Sequence, residues 1–269
     1  MSSSPRRMAR WVALAAMTAL VVTAVLLGLW VAFLEVFDVN AYVGKTPAQV
    51  WEWVTDPAEG TERRAELWDA TRETLVEAGL GFAVGLGAAV VVAIAFTLSR
   101  PLERAVMPVA LALRSVPIVA LVPLLAFVFG RGLVGSLVIV SIIVWFPALV
   151  LVTNGLRSVR AEPLDLLAAY DAGPLTQLVK VRLPTAIPSL LAAAKVCAPL
   201  AILGSLLNGW LSTGKGLGAL MSLSTITAEY VKLWAAVVVV AVVSMLFAAL
   251  VTSLEQVAYA RWAPDRSGP

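Results

Sequence analysis

Residues 156–188 read LRSVRAEPLDLLAAYDAGPLTQLVKVRLPTAIP, a charged stretch set between long apolar runs. Residues 132–156 before it carry no charge, and the sequence after Pro184 is apolar again. Arg157, Arg160, Glu162, Asp165, Asp171, Lys180 and Arg182 all fall within the stretch. Such a segment belongs in water, and the runs that flank it belong in lipid or a packed bundle.

Working outward, a bilayer-crossing helix needs about 20 predominantly apolar residues. Residues 11–34, 78–99, 132–156 and 233–254 meet that length without a single charge. Residues 115–130 form a shorter run that extends back over 105–113 if Arg114 faces protein or snorkels. Residues 187–208 contain Lys195, about 12 Å along the helix at 1.5 Å per residue, where it should point to protein or water. Six spans are therefore expected.

The basic residues orient them. Arg6, Arg7 and Arg10 precede the first span, and Arg100, Arg104 and Arg114 follow the second. Arg157, Arg160, Lys180 and Arg182 follow the fourth, and Arg261 and Arg266 the sixth. The bias of Lys and Arg toward the cytoplasm places both termini and the 156–188 stretch inside. The expected organisation is a cytoplasmic tail (1–10), a first span (11–34) and an external segment (35–73). A five-span core (74–258) follows, with its cytoplasmic loop at 157–184, and then a cytoplasmic tail (259–269). The run at 11–34 exceeds the 7–15 residues of a signal-peptide core and reads as a retained helix.

Composition supports a polytopic all-α membrane protein. Hydrophobic residues make up 60% of the 269 and charged residues 14%, against about 25% charged in soluble domains. The formal charge of +3 gives no nucleic-acid face. There is no histidine and one cysteine, Cys197, so imidazole bases, His metal sites and intramolecular disulfides are excluded. Cys197 reads as a packing residue. No catalytic residue, metal ligand or cofactor site is expected.

Several motifs have plain readings. Gly44-Lys45-Thr46 lacks the first glycine of a phosphate loop, since Val39 occupies that position. Gly81 and Gly85 stand four apart on one helix and let a neighbour approach. The glycines of Thr213-Gly214-Lys215-Gly216-Leu217-Gly218 permit a tight backbone between the last two spans. Ser136, Ser141, Ser205 and Ser212 read as hydroxyls that bond a helix carbonyl or glue helices together, and Ser115, Lys195 and Asn208 as candidate lining of a wet path.

The 156–188 pattern resembles the cytoplasmic docking loop of permease subunits in bacterial type I ABC importers. That signature is Glu-Ala-Ala, three residues, Gly, nine residues, an aliphatic residue, any residue, then Leu-Pro. Without gaps, Asp165-Leu166-Leu167 falls on the first three positions, Asp171 on the glycine, Val181 on the aliphatic position and Leu183-Pro184 on the last two. Leu113-Arg114-Ser115-Val116-Pro117, Leu156-Arg157-Ser158-Val159, Lys195 and Gly216-Leu217-Gly218 resemble the nitrate/taurine/sulfonate branch.

The resemblance implies a permease that dimerises, usually with itself, though a heterodimer is also open. It implies two partners: a cytoplasmic ABC ATPase and an extracytoplasmic substrate-binding protein. The cargo would be a sulfonate, taurine, nitrate or a thiamine-precursor-like pyrimidine. The loop is expected to form a short helix over about 163–172, with Pro163 and Asp165 in its first turn and Leu164, Leu167 and Ala168 facing the ATPase. Gly173 stands two residues past the signature's glycine, and Asn208-Gly209 replaces the Ala-Glu common in relatives. An ion-gradient-driven secondary transporter is the alternative, opposed by the lack of carboxylates in the clear spans.

Overall fold

The structure, a computed structural model, describes residues 5–262. The chain order is α1 (Pro5–Val36), α2 (Pro47–Thr55), α3 (Gly60–Leu98), α4 (Arg100–Arg114), α5 (Ile118–Phe129), α6 (Leu133–Arg157), α7 (Ala161–Ala169), α8 (Pro174–Gln177), α9 (Leu183–Asn208), α10 (Gly216–Ile226) and α11 (Tyr230–Trp262). π-helical turns at Leu178–Arg182 and Gly209–Thr213 flank α9. Among the described residues there is no strand. The chain forms two compact units, one of residues up to Ala65 with Ser224–Ala235, the other of Glu66–Leu223 with the sequence from Ala236 on.

In the first unit, Leu34 and Val50 are buried, and aromatic contacts join distant parts of the chain. Trp30 stacks on Trp234 at 5.0 Å, and Trp234 Nε1 donates to the Val43 carbonyl at 2.9 Å. Thr46 and Gln49 form a capping box on α2, which accounts for the Gly44-Lys45-Thr46 sequence without any nucleotide. Trp53 lies under the Arg63 guanidinium at 4.9 Å, while Trp51 is exposed. Backbone N–H groups of Glu59 and Ala58 hold the Asp56 carboxyl below its ordinary value.

In the second unit, α6 and α9 make an extensive contact, and α3 packs on α6. Small residues set the spacing. A side chain at Gly81 would meet Val140 at 2.5 Å, and one at Gly85 would meet the Ser141 carbonyl at 2.7 Å. Ser141 Oγ donates to the Gly81 carbonyl at 3.1 Å across the same seam. The four-residue glycine spacing thus does what its sequence implies. Cys197 is fully buried, its Sγ 3.5 Å from the Val144 carbonyl, as a packing residue should be.

Two expected spans take different shapes. Residues 105–130 do not form one straight helix: α4 and α5 meet at a 103° bend. Pro117 lacks an N–H and biases Val116 away from the helical region, so the chain breaks there. Arg114 rests over the Phe146 ring at 5.0 Å. The fifth helix is longer than 187–208. It runs as one 40-residue helical segment, Pro174–Thr213, and so begins inside the expected loop. Leu183 and Pro184 open α9, directly after the π turn at Leu178–Arg182. The Leu183 N–H reaches back five residues to the Leu178 carbonyl, which widens the helix where the ring would otherwise strike the preceding turn.

Among the described residues, Gly60–Leu98, Leu133–Arg157, Pro174–Thr213 and Tyr230–Gln256 are long and apolar enough to cross a membrane, and the bent pair makes up to five. The 25 residues of α6 extend about 38 Å at 1.5 Å each, enough for a hydrocarbon layer of about 30 Å. Residues 20–36 of α1 add a shorter apolar helix.

Candidate functional site

The loop after α6 is built by local chemistry. α7 covers Ala161–Ala169, three residues earlier at its end than the expected 163–172. Pro163 sits in its first turn, where a missing N–H costs no helix bond. Its C-terminus closes as a Schellman motif. The Ala172 N–H donates to the Leu167 carbonyl at 2.9 Å, and the Asp171 N–H to the Ala168 carbonyl at 2.9 Å. Asp171 takes φ +55°, the left-handed conformation that glycine adopts most easily and aspartate tolerates. This is the position of the signature's glycine, so the substitution is accommodated. Gly173 starts α8 in extended conformation.

Side chains on α7 divide into two faces. Leu164 and Leu167 are half-buried, whereas Leu166 is 61% and Tyr170 80% exposed. Pro163, Asp165 and Ala168 are exposed as well. Farther on, Leu175 and Val179 are exposed, Val181 and Leu183 half-buried, and Pro184 exposed. The outward apolar surface is therefore Leu166, Tyr170, Leu175 and Val179, rather than Leu164 and Leu167.

Two arginines fix the base of this loop. Arg157, at the end of α6, donates to both carboxylate oxygens of Glu103 on α4, with Nη1 to Oε1 at 2.6 Å. Its Nη2 also reaches the Phe96 carbonyl near the end of α3 at 3.3 Å. The bidentate geometry fixes orientation as well as distance. Arg182 Nη1 donates to the Leu156 carbonyl at 3.1 Å, joining the loop's exit to its entrance. Sequence reasoning assigned these residues no partners. The available signal was Glu103, the lone acid among Arg100, Arg104 and Arg114.

A second polar centre lies at the other end of α6. Glu77 of α3 is 4% exposed and accepts from Ser136 Oγ at 2.7 Å and Ser205 Oγ at 2.8 Å. Asn208 Nδ2 lies 3.4 Å from Glu77 Oε2 and donates to Ser136 Oγ at 2.7 Å. Nearby, the Leu217 N–H donates to buried Thr74 Oγ1 at 2.9 Å. Asn208 is wholly buried here, tying α9 to α3 and α6. The next residue must be small, because a side chain at Gly209 would meet the Lys215 carbonyl at 2.5 Å.

The other candidate pathway residues lie apart from this centre. Ser115 is exposed at the α4–α5 bend, its Oγ 3.3 Å from the Leu111 carbonyl. Lys195 is half-exposed, with its Nζ 3.6 Å from Glu255 Oε2 of α11. Its charge thus has an acidic partner in the same chain. Glu255 stands one residue past the expected sixth span and Glu77 one before the expected second. Both therefore fell just outside the charge-free windows.

Comparison with known proteins accords with this architecture. A Haemophilus influenzae protein named "Probable ABC transporter permease protein" is 29% identical over 202 residues, covering 75% of this chain and 80% of its own. The Bacillus subtilis protein SsuC, named for aliphatic sulfonates transport as a permease, is 27% identical over 71% of this chain and 69% of its own. Among solved structures, a chain of the inward-facing MetNI methionine ABC transporter superposes with a TM-score of 0.60 at 19% identity. That match covers 76% of this chain and 99% of the other, and it shows a shared fold. Residues 81–262 match the model of one family, and the chain belongs to it: the binding-protein-dependent transport system inner membrane components.

Proposed function

We propose that this chain is the permease subunit of an ATP-driven importer in a bacterial cytoplasmic membrane, crossing it six times with both termini inside. Two copies would enclose the path of a small solute, of the sulfonate, taurine, nitrate or thiamine-precursor class, delivered by an extracytoplasmic binding protein. The observation that carries the reading is α7. It is a capped helix with an exposed apolar face, in a loop whose entrance Arg157 ties to α3 and α4 and whose exit Arg182 ties back to the end of α6. Such an element transmits a push from a docked ATPase directly into the spans.

The docking residues would be Leu166 and Tyr170, supported by Pro163, Leu164, Asp165, Leu167, Ala168, Asp171, Gly173, Val181, Leu183 and Pro184. Ser115 and Lys195 remain proposed pathway residues, and Asn208 is proposed to tie together the helices that border the path. The test is copurification of an ABC ATPase with the full chain, and ATP-dependent uptake by the reconstituted complex. The family match does not favour the rival reading, an ion-gradient-driven transporter, and the buried Glu77 carboxylate is bonded to Ser136 and Ser205. Uptake that needs an ion gradient and no ATPase would establish that rival instead.

A further inference from the structure

We propose that the loop base binds an anionic phospholipid, its phosphate held by arginines and an acyl chain held beside them. A cleft of about 420 Å³ there is lined by Arg100, Glu103, Arg104, Arg157, Leu164 and Arg182. Four guanidinium groups face one carboxylate, a surplus of three positive charges. Arg157 is committed to Glu103, and Arg182 to a backbone carbonyl. Arg100 and Arg104 make no hydrogen bond or ion pair among the described residues. The acids of α7, Glu162 and Asp165, do not line the cleft. Unpaired guanidinium groups at the start of α4 match the planar, bidentate geometry of a phosphodiester.

The second observation selects a lipid over free phosphate. A separate cavity of about 280 Å³ is lined only by apolar residues, among them Val90, Val152, Leu156, Leu183, Ile187 and Leu190. The linings of the two spaces are consecutive in sequence at two places. Leu156 lines the apolar cavity and Arg157 the basic cleft; Leu183 lines the apolar cavity and Arg182 the cleft. A ligand suited to both has an anionic head and a hydrocarbon tail. Basic pockets at the cytoplasmic ends of membrane helices recognise lipid headgroups in this way. Leu164 of α7 forms part of the cleft wall, so a bound headgroup braces the loop. The inference rests on the orientation proposed above, which puts this end at the cytoplasmic surface.

The test uses the full chain in phosphatidylcholine nanodiscs containing a minority of phosphatidylglycerol, with retained lipid counted by native mass spectrometry. Wild type should retain phosphatidylglycerol selectively. Arg100→Gln and Arg104→Gln should each weaken retention about fivefold, and together about thirtyfold, at ~1 kcal/mol per surface arginine. Lys180→Gln, which removes an exposed charge that does not line the cleft, should leave retention unchanged. Short-chain phosphatidylglycerol should displace the lipid, and inorganic phosphate should not. Unchanged retention in both arginine variants, equal loss in Lys180→Gln, or displacement by inorganic phosphate would each overturn the proposal. Lipid retention is read without an ATPase, so failed copurification beside intact selectivity would count against the permease reading alone.

Discussion

Glu77 shows how one carboxylate organises three helices. Its oxygens accept from Ser136 on α6 and Ser205 on α9, and Asn208 completes the set from α9. Removing the acceptor leaves buried hydroxyls without it, at about 1–3 kcal/mol for each donor left unpaired. Glu77→Ala should therefore lower the thermal stability of the purified chain markedly, with Ser205→Ala costing less because only one bond is lost. Equal melting temperatures for the two variants would refute the three-helix tie. At Asp171 the expectation differs. Asp171→Gly should preserve or stabilise the α7 cap, whereas Asp171→Val should cost about 1–2 kcal/mol in left-handed strain. Limited proteolysis of the loop reads that difference. The hydroxyls of the Glu77 centre were visible in the sequence as polar residues within apolar runs. Their acceptor was not, because the window that defines a span begins at Ala78.

At the scale of elements, the glycine seam was legible and the helix ends were not. Gly81 and Gly85 announce a close contact by spacing alone, and α6 supplies it through Val140 and Ser141. Gly85→Ala should be the costlier change, since it meets a backbone carbonyl that cannot turn aside. About 1–3 kcal/mol is expected, as for overpacking generally. Gly79→Ala and Gly87→Ala meet nothing within 4 Å and should be tolerated. Detergent melting curves for the four variants test the ordering. The 103° bend between α4 and α5, by contrast, was hidden by hydrophobicity. Apolar windows measure length, while the turn depends on Pro117 and the packing around it. Pro184 stands in the first turn of α9, and the π turn before it joins that helix to α8.

For the whole molecule, α7 matters because the loop that carries it begins and ends at arginines bonded to α3, α4 and α6. Arg157 alone reaches α4 and α3, so a force on the loop is delivered to several spans at once. Leu166→Asp should place a charge at the proposed ATPase contact, where burying an apolar side chain is worth about 1.5–3 kcal/mol and a buried charge costs more. ATPase copurification and uptake should both fall while the chain still inserts; unchanged copurification would move the contact elsewhere. That expectation has meaning only if the loop is cytoplasmic, the side on which the bias of arginine and lysine is expected to put it. Gly173 and Glu59 test it. Both positions are exposed, and a side chain at Gly173 would meet nothing within 4 Å. Cysteines introduced singly there, in a Cys197→Ser background whose new hydroxyl retains the Val144 carbonyl within reach, should react with a membrane-impermeant thiol reagent from opposite sides. Intact cells should label only at position 59, and inside-out vesicles only at 173. Labelling of both from one side would remove the proposed orientation, and with it the ATPase contact on α7.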